Sequence, residues 1–327
     1  MSSLTSGGSA VDRLVRHTRR LDAGLQVCGI GHPLRRKITA RLLAAKAPRL
    51  RSGMAALFAE FLGEPAADAL TLAADWLYYR SIARAGWLGE SARADSRPGQ
   101  RQARVLDEAA LGAFLSGSMG TSRGILMASI HMGDYLRGLA ALGQCLQGRR
   151  VVILRRRQAS PGEGAAFAAF SRAGIRFDVL RHDRTTAFSA LRALKRGAVV
   201  VVLYDLTRRW GRTAPVRLFG REVQMVCGPA ELAMKAGADM LPVVTGFDEG
   251  GCLEIRAGRV LAGTAGKGRD IILQQLADFA EQAIRTRPAQ WHHWPLLPEM
   301  LARFPSGDAC IDPRADAGSD AREQAVV

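Results

Sequence analysis

The sequence predicts an α/β protein with a mostly parallel central sheet flanked by helices, extended at the N-terminus by further helices. Three observations carry this. Beyond residue 105, short apolar runs alternate with segments of helical periodicity, as strand–helix–strand units in a covered parallel sheet require. Two of these runs, Gly124-Ile-Leu-Met-Ala-Ser-Ile130 and Ala198-Val-Val-Val-Val-Leu-Tyr-Asp205, read as buried strands. Before residue 85, by contrast, apolar residues recur at three- and four-residue spacing.

Taken in order, residues 1–10 are small and polar and are expected to be disordered. From Val11 to Ala85 two or three helices are expected, carried by Leu42, Leu43, Met54, Leu57, Phe58, Phe61 and Leu62 and then by Leu70, Leu72, Trp76, Leu77 and Ile82. The polar, Pro- and Gly-containing stretch Gly89–Arg104 reads as a linker, so residues 11–104 form a helical segment with its linker and residues 105–300 the α/β domain. Within that domain strands are expected near 125–130, 150–154, 176–180, 198–204, 240–246 and 252–256. Helices are expected near 134–147, 163–173, 186–196, 228–237 and 268–286. The tail from Pro305 to Val327 is polar and small, and disorder is expected there too.

The chain has 327 residues and a net charge of +16, a sign that favours anionic partners: phospholipid, nucleic acid or an acidic carrier protein. Between Arg149 and Arg221 seventeen Lys or Arg face four acids, Glu163, Asp178, Asp183 and Asp205. The aromatics of that stretch sit mostly in apolar contexts, so no nucleic acid is expected as a partner. Five scattered cysteines without a C-x-x-C pair suggest neither a disulfide framework nor a zinc site, and fit a reducing compartment. No apolar segment is long enough to span a bilayer, so a soluble or peripheral protein is expected.

The first strand ends on His131-Met-Gly-Asp134, placing an imidazole and a carboxylate at a strand-to-helix turn. Ligands of α/β sheets bind outside the carboxyl ends of the strands. His131 suits a general base, and Asp134 can orient its ring as the acid does in a Ser-His-Asp triad. The other reading is that Asp134 simply caps the helix. Asp205 ends a second strand at what should be the same edge, and Arg155, Arg156 and Arg157 end a third, where guanidinium groups can clamp a phosphate. There is no Walker-type loop, no dinucleotide glycine fingerprint and no G-x-S-x-G elbow. His292 and His293 are adjacent, point apart and lack carboxylate or thiol ligand spacing, so no metal site is expected there.

In this order the segments resemble the bacterial lipid A biosynthesis acyltransferases, lauroyl and myristoyl transferases of the lysophospholipid acyltransferase superfamily. The resemblance rests on Gly124–Gly138, Leu154-Arg155-Arg156, Ala190–Gly197 with the strand to Asp205, Val216-Arg-Leu-Phe-Gly220, Gly228-Pro-Ala-Glu-Leu-Ala233 with Gly237–Val243, and Arg287-Pro-Ala-Gln-Trp291. It implies a glycerolipid acyltransferase-like fold and acyl transfer from a thioester, on acyl carrier protein or acyl-CoA, to a hydroxyl or amine of a lipid, glycolipid or secondary metabolite. It implies His131 as base with Asp134 as its acid. Arg155, Arg157, Asp205 and Gly228 are the implied substrate-binding residues. No metal or other cofactor is implied. The family's acid stands five residues after its histidine, where this chain has Leu136. Either Asp134 or Asp205 takes that role, with Asp134 favoured, or the protein is a degenerate member that binds acyl carrier protein or anionic membrane without catalysis. A peripheral position at the cytoplasmic face of the inner membrane is expected, through a basic face and the amphipathic N-terminal helices.

Overall fold

The computed structural model describes residues 6–87, 103–107, 111–115, 124–144, 146, 149–155, 177–181 and 185–301. The strands are β1 (Arg104–Val105), β2 (Ile125–Ser129), β3 (Val151–Arg155), β4 (Phe177–Arg181), β5 (Val199–Leu203), β6 (Thr213–Leu218), β7 (Arg221–Val226), β8 (Asp239–Phe247) and β9 (Leu253–Ala257). The helices are α1 (Ser6–Val27), α2 (His32–Lys46), α3 (Pro48–Leu62), α4 (Ala66–Trp87), α5 (Tyr135–Gln144), α6 (Thr186–Lys195), α7 (Gly228–Ala236), α8 (Arg269–Thr286) and α9 (Leu297–Leu301). Among these no helix is long and apolar enough to cross a membrane. The helix expected near 163–173 lies outside the described residues.

Seven strands form one sheet in the order β1-β9-β8-β2-β5-β3-β4, parallel except where β9 runs against β8. The central strands are covered on both faces. Leu126, Ala128, Val200, Val202 and Met240 turn into the larger core, whereas Ile125, Met127, Val199, Val201 and Leu241 turn into a second one with Leu142 and Leu146. This period of two on a strand buried on both sides explains why β2 and β5 read as continuous apolar runs.

Four N-terminal helices are present where two or three were expected. Their breaks are chemical. Pro48 sits in the first turn of α3, where its missing N–H costs nothing, and Gly63 ends α3 in the left-handed region at φ 72°. Residues 6–10, expected to be disordered, form the start of α1; their small side chains carry no apolar periodicity that sequence reading could register. The larger core is continuous from Phe58, Trp76 and Tyr78 of α3 and α4 to Trp291 and Trp294 near the C-terminus, so the extension packs directly on the sheet domain.

The hairpin β6–β7 was not expected. Its two-residue turn, Phe219-Gly220, holds both residues at positive φ (52° and 74°), the twist that matches antiparallel strands. Phe219 tolerates this because its ring stacks on Trp294 at 5.3 Å and its N–H donates to Glu281 Oε2 at 2.7 Å.

For function the decisive feature is register. In the parallel pairs Ser129 lies opposite Leu203 of β5 and Val243 of β8. Two residues further along both central strands stand His131 and Asp205, at the same level of the sheet edge.

Candidate functional site

His131 leaves β2 half-buried, with 15% of its side chain accessible, and its Nδ1 lies 2.7 Å from Asp205 Oδ1. The backbone N–H of His131 donates to Asp205 Oδ2 at 2.9 Å, and Trp291 Nε1 donates to the same oxygen at 2.9 Å. Three N–H groups thus converge on one buried carboxylate. Burial alone would raise the Asp205 carboxyl, but the facing imidazoles of His131 and His293 and the hydrogen bonds from His131 and Trp291 outweigh it. The group is held well below the usual carboxylate range and stays ionised. In the neutral ring an ionised acceptor at Nδ1 selects the tautomer with its proton there, and the lone pair is then on Nε2. Among the described residues no hydrogen bond occupies Nε2 of His131.

The surrounding groups hold this pair in place. Tyr204, just before Asp205, is fully buried and its hydroxyl donates to the Leu276 carbonyl at 3.0 Å, tying the end of β5 to α8. The segment 288–293 runs antiparallel past Met132: His292 N–H donates to His131 O at 2.8 Å and Gly133 N–H to Gln290 O at 3.0 Å. Trp76 of α4 donates from Nε1 to Trp291 O at 2.9 Å, so the N-terminal helices brace the same segment. His293 stacks on His131 with ring centroids 3.9 Å apart and donates from Nδ1 to the Asp205 carbonyl at 2.8 Å. His292 donates from Nε2 to Gly133 O at 2.7 Å. Burial lowers the pKa of both, to about 3 for His292 and about 4 for His293, so both are neutral at pH 7. Tyr135 sets its ring edge-on to His131 at 5.1 Å.

The expectation for Asp134 is corrected. Its Oδ1 accepts from the Arg137 N–H at 3.2 Å, the geometry of a helix N-cap, while the acid on the imidazole is Asp205. The reason is geometric: Gly133, at φ 59°, turns the chain off the strand so that Asp134 begins α5. Among the remaining expected residues, Arg155 ends β3, which pairs with β5 in parallel, so its backbone reaches the same edge one strand beyond Asp205. Arg157 lies outside the described residues. Gly228 opens α7 with open space around it, and no contact among the described residues joins it to His131. Trp291 and His293, which do contact the site, were missed as functional residues, because the chain brings them back from 86 and 88 positions beyond Asp205. The repeated aromatic and imidazole side chains of Trp291-His292-His293 were the available signal. Contrary to the expectation for adjacent residues, both histidines engage the same strand end.

The ligand atoms of His131, Asp205 and His293 lie within 4.8 Å of one another, close enough for a metal ion. Both Nδ1 atoms are hydrogen bonded to Asp205, one to its carboxylate and one to its carbonyl, so a metal held through those nitrogens would displace their protons. As the residues stand, the arrangement is a carboxylate-oriented imidazole, a pairing suited to proton transfer.

Fold and site together define an α/β protein that delivers an acid-oriented histidine to the carboxyl edge of a parallel sheet. Residues 85–296 match the family of bacterial lipid A biosynthesis acyltransferases, and the chain belongs to that family. Similar proteins include the phosphatidylinositol mannoside acyltransferases of Mycobacterium tuberculosis strains CDC 1551/Oshkosh and ATCC 25618/H37Rv. Each is 36% identical over 105 residues, which span 30% of this chain and 29% of the relative.

Proposed function

We propose that this protein transfers a fatty acyl chain from a thioester donor to a hydroxyl or amine of a lipid or glycolipid acceptor. The observation that carries this reading is the His131–Asp205 pair with Nε2 of His131 unengaged. In the proposed reaction Nε2 takes the acceptor proton as the acceptor oxygen or nitrogen attacks the thioester carbonyl. The tetrahedral intermediate collapses with cleavage of the C–S bond, and the proton passes from His131 to the leaving thiolate. Asp205 keeps the ring in the productive tautomer and stabilises the imidazolium formed between the two steps.

A lipid-linked sugar as acceptor agrees with family membership and with the name of the mycobacterial relatives. An acyl carrier protein or acyl-CoA as donor agrees with the cationic excess between Arg149 and Arg221, because both donors are anionic. Peripheral action at the cytoplasmic face of the inner membrane is part of the same proposal, and the net charge of +16, which suits an anionic lipid surface, supports it. The non-catalytic reading rested on Leu136 standing where the family's acid is expected. That support falls away when a neighbouring strand supplies the acid.

The test is acyl transfer by the purified protein, with acyl carrier protein and acyl-CoA donors and glycolipid acceptors. Thiol release and the mass gain of the acceptor are both followed. Turnover abolished in His131→Ala supports the reading; turnover undiminished in that variant overturns it.

A further inference from the structure

Five of the exposed large apolar side chains among the described residues, Leu21, Val27, Leu34, Leu42 and Leu50, lie on α1, α2 and α3. The same stretch is strongly basic. Between Asp22 and Glu60 there is no acid, but there are seven bases, Arg35, Arg36, Lys37, Arg41, Lys46, Arg49 and Arg51. On α2 the two kinds of side chain share one face. Helix α2 buries Thr39, Ala40, Leu43 and Ala44. Leu34, Lys37, Arg41, Leu42 and Ala45, at helical spacing on the other side, are all exposed. Lys37, Arg41, Lys46 and Arg49 make no ion pair among the described residues.

From this face we infer that α2, with the adjoining parts of α1 and α3, is the surface on which the protein sits on an anionic lipid bilayer. The inference deepens the proposed function by naming the membrane-bound face, and rests on that reading only for the identity of the acceptor. Apolar side chains that interleave with bases suit the headgroup boundary: leucines enter the acyl region while lysines and arginines reach lipid phosphates. The stretch from Ala23 to Ala59 itself contributes no acid to repel those phosphates; the exposed Glu249 adjoins it only at the first turn of α2. The location fits as well. The first turn of α2 touches the turn after β8, where His32 Nδ1 donates to the Glu249 carbonyl at 3.2 Å. Because β8 runs parallel to β2, that turn lies at the same edge of the sheet as His131. A bilayer under α2 therefore adjoins the edge at which a lipid acceptor must enter.

The experiment is flotation of the full-length protein with vesicles of phosphatidylcholine alone or mixed with phosphatidylglycerol, at low and high salt. Binding to the anionic vesicles that weakens with salt is expected. Lys46→Glu/Arg49→Glu should weaken it by at least about 25-fold, the product of two contributions of about fivefold each. Leu34→Ser/Leu42→Ser should weaken it comparably with less salt dependence. Lys195→Glu/Arg196→Glu, the same charge change at the C-terminus of α6, should leave it unchanged. The inference is overturned if both α2–α3 variants float like wild type, or if the α6 variant loses binding equally. It is also overturned if wild type ignores anionic vesicles while the substitutions lower turnover with a soluble acidic carrier, which would assign the face to a protein. His131→Ala should float like wild type, so loss of the acyl-transfer reading and loss of this one are separately visible.

Discussion

Asp205→Asn separates the two acids that the strand ends present. The carboxylate receives N–H groups on both oxygens, two on Oδ2 and one on Oδ1. An amide offers a single oxygen. Placed at the Oδ2 position, its NH2 would face two donors, the His131 backbone N–H and the Trp291 indole. The oxygen therefore goes there, and the NH2 group faces His131 Nδ1 instead. Nδ1 must then accept, the ring proton moves to Nε2, and the base has lost its lone pair. The comparable substitution in a serine-protease triad lowers kcat by about ten-thousandfold. A similar loss here, about 5 kcal/mol of transition-state stabilisation, is expected, with KM little changed. Asp134→Asn keeps a good helix cap and should hold kcat within a few-fold of wild type. Initial rates of thiol release at saturating donor and acceptor read both variants, with thermal melts to verify folding. The reasoning is refuted if Asp205→Asn keeps more than a tenth of wild-type kcat, or if Asp134→Asn loses as much as Asp205→Asn.

Three further outcomes are expected. His293→Phe keeps a ring against His131 but deletes the donor to the Asp205 carbonyl, so denaturant melts should show a loss of about 1–3 kcal/mol; kcat should fall less than in Asp205→Asn. Acidification should destabilise the fold. His292 and His293 have folded-state pKa values near 3 and 4, below the usual 6.5, so the unfolded chain binds protons that the folded protein does not. Stability then falls as pH drops from 6.5 toward 4, by about 1.4 kcal/mol per pH unit for each group. Asp205, lowered instead, loses its contribution only at still lower pH. Stability measured from pH 7 to 5 should flatten in His292→Gln, and an unaltered slope would count against the assignment. Finally, a Cβ added at Gly138 would come within 2.1 Å of Thr245 Cγ2, whose hydroxyl is tied to the Met132 carbonyl. Gly138→Ala should therefore cost about 1–3 kcal/mol in a chemical melt.

By itself the sequence determined the parts that follow from local pattern. Apolar runs marked β2 and β5 as buried strands, because a strand covered on both faces needs apolar side chains at every position. Helical spacing marked α5, α6, α7 and α8, and His131 stood out because it ends such a run. The N-terminal helices were legible as a class but not in number, since Pro48 and Gly63 break them without a long polar gap. Only the tertiary structure decided which acid serves His131. Spacing along the chain pointed to Asp134 or to position 136. The side chain that meets Nδ1 comes from 74 residues away, because the parallel register of β2 with β5 sets the two strand ends level. Trp291 and His293 join for the same reason: the hydrogen bonds of a returning segment place them, and no local spacing encodes that return.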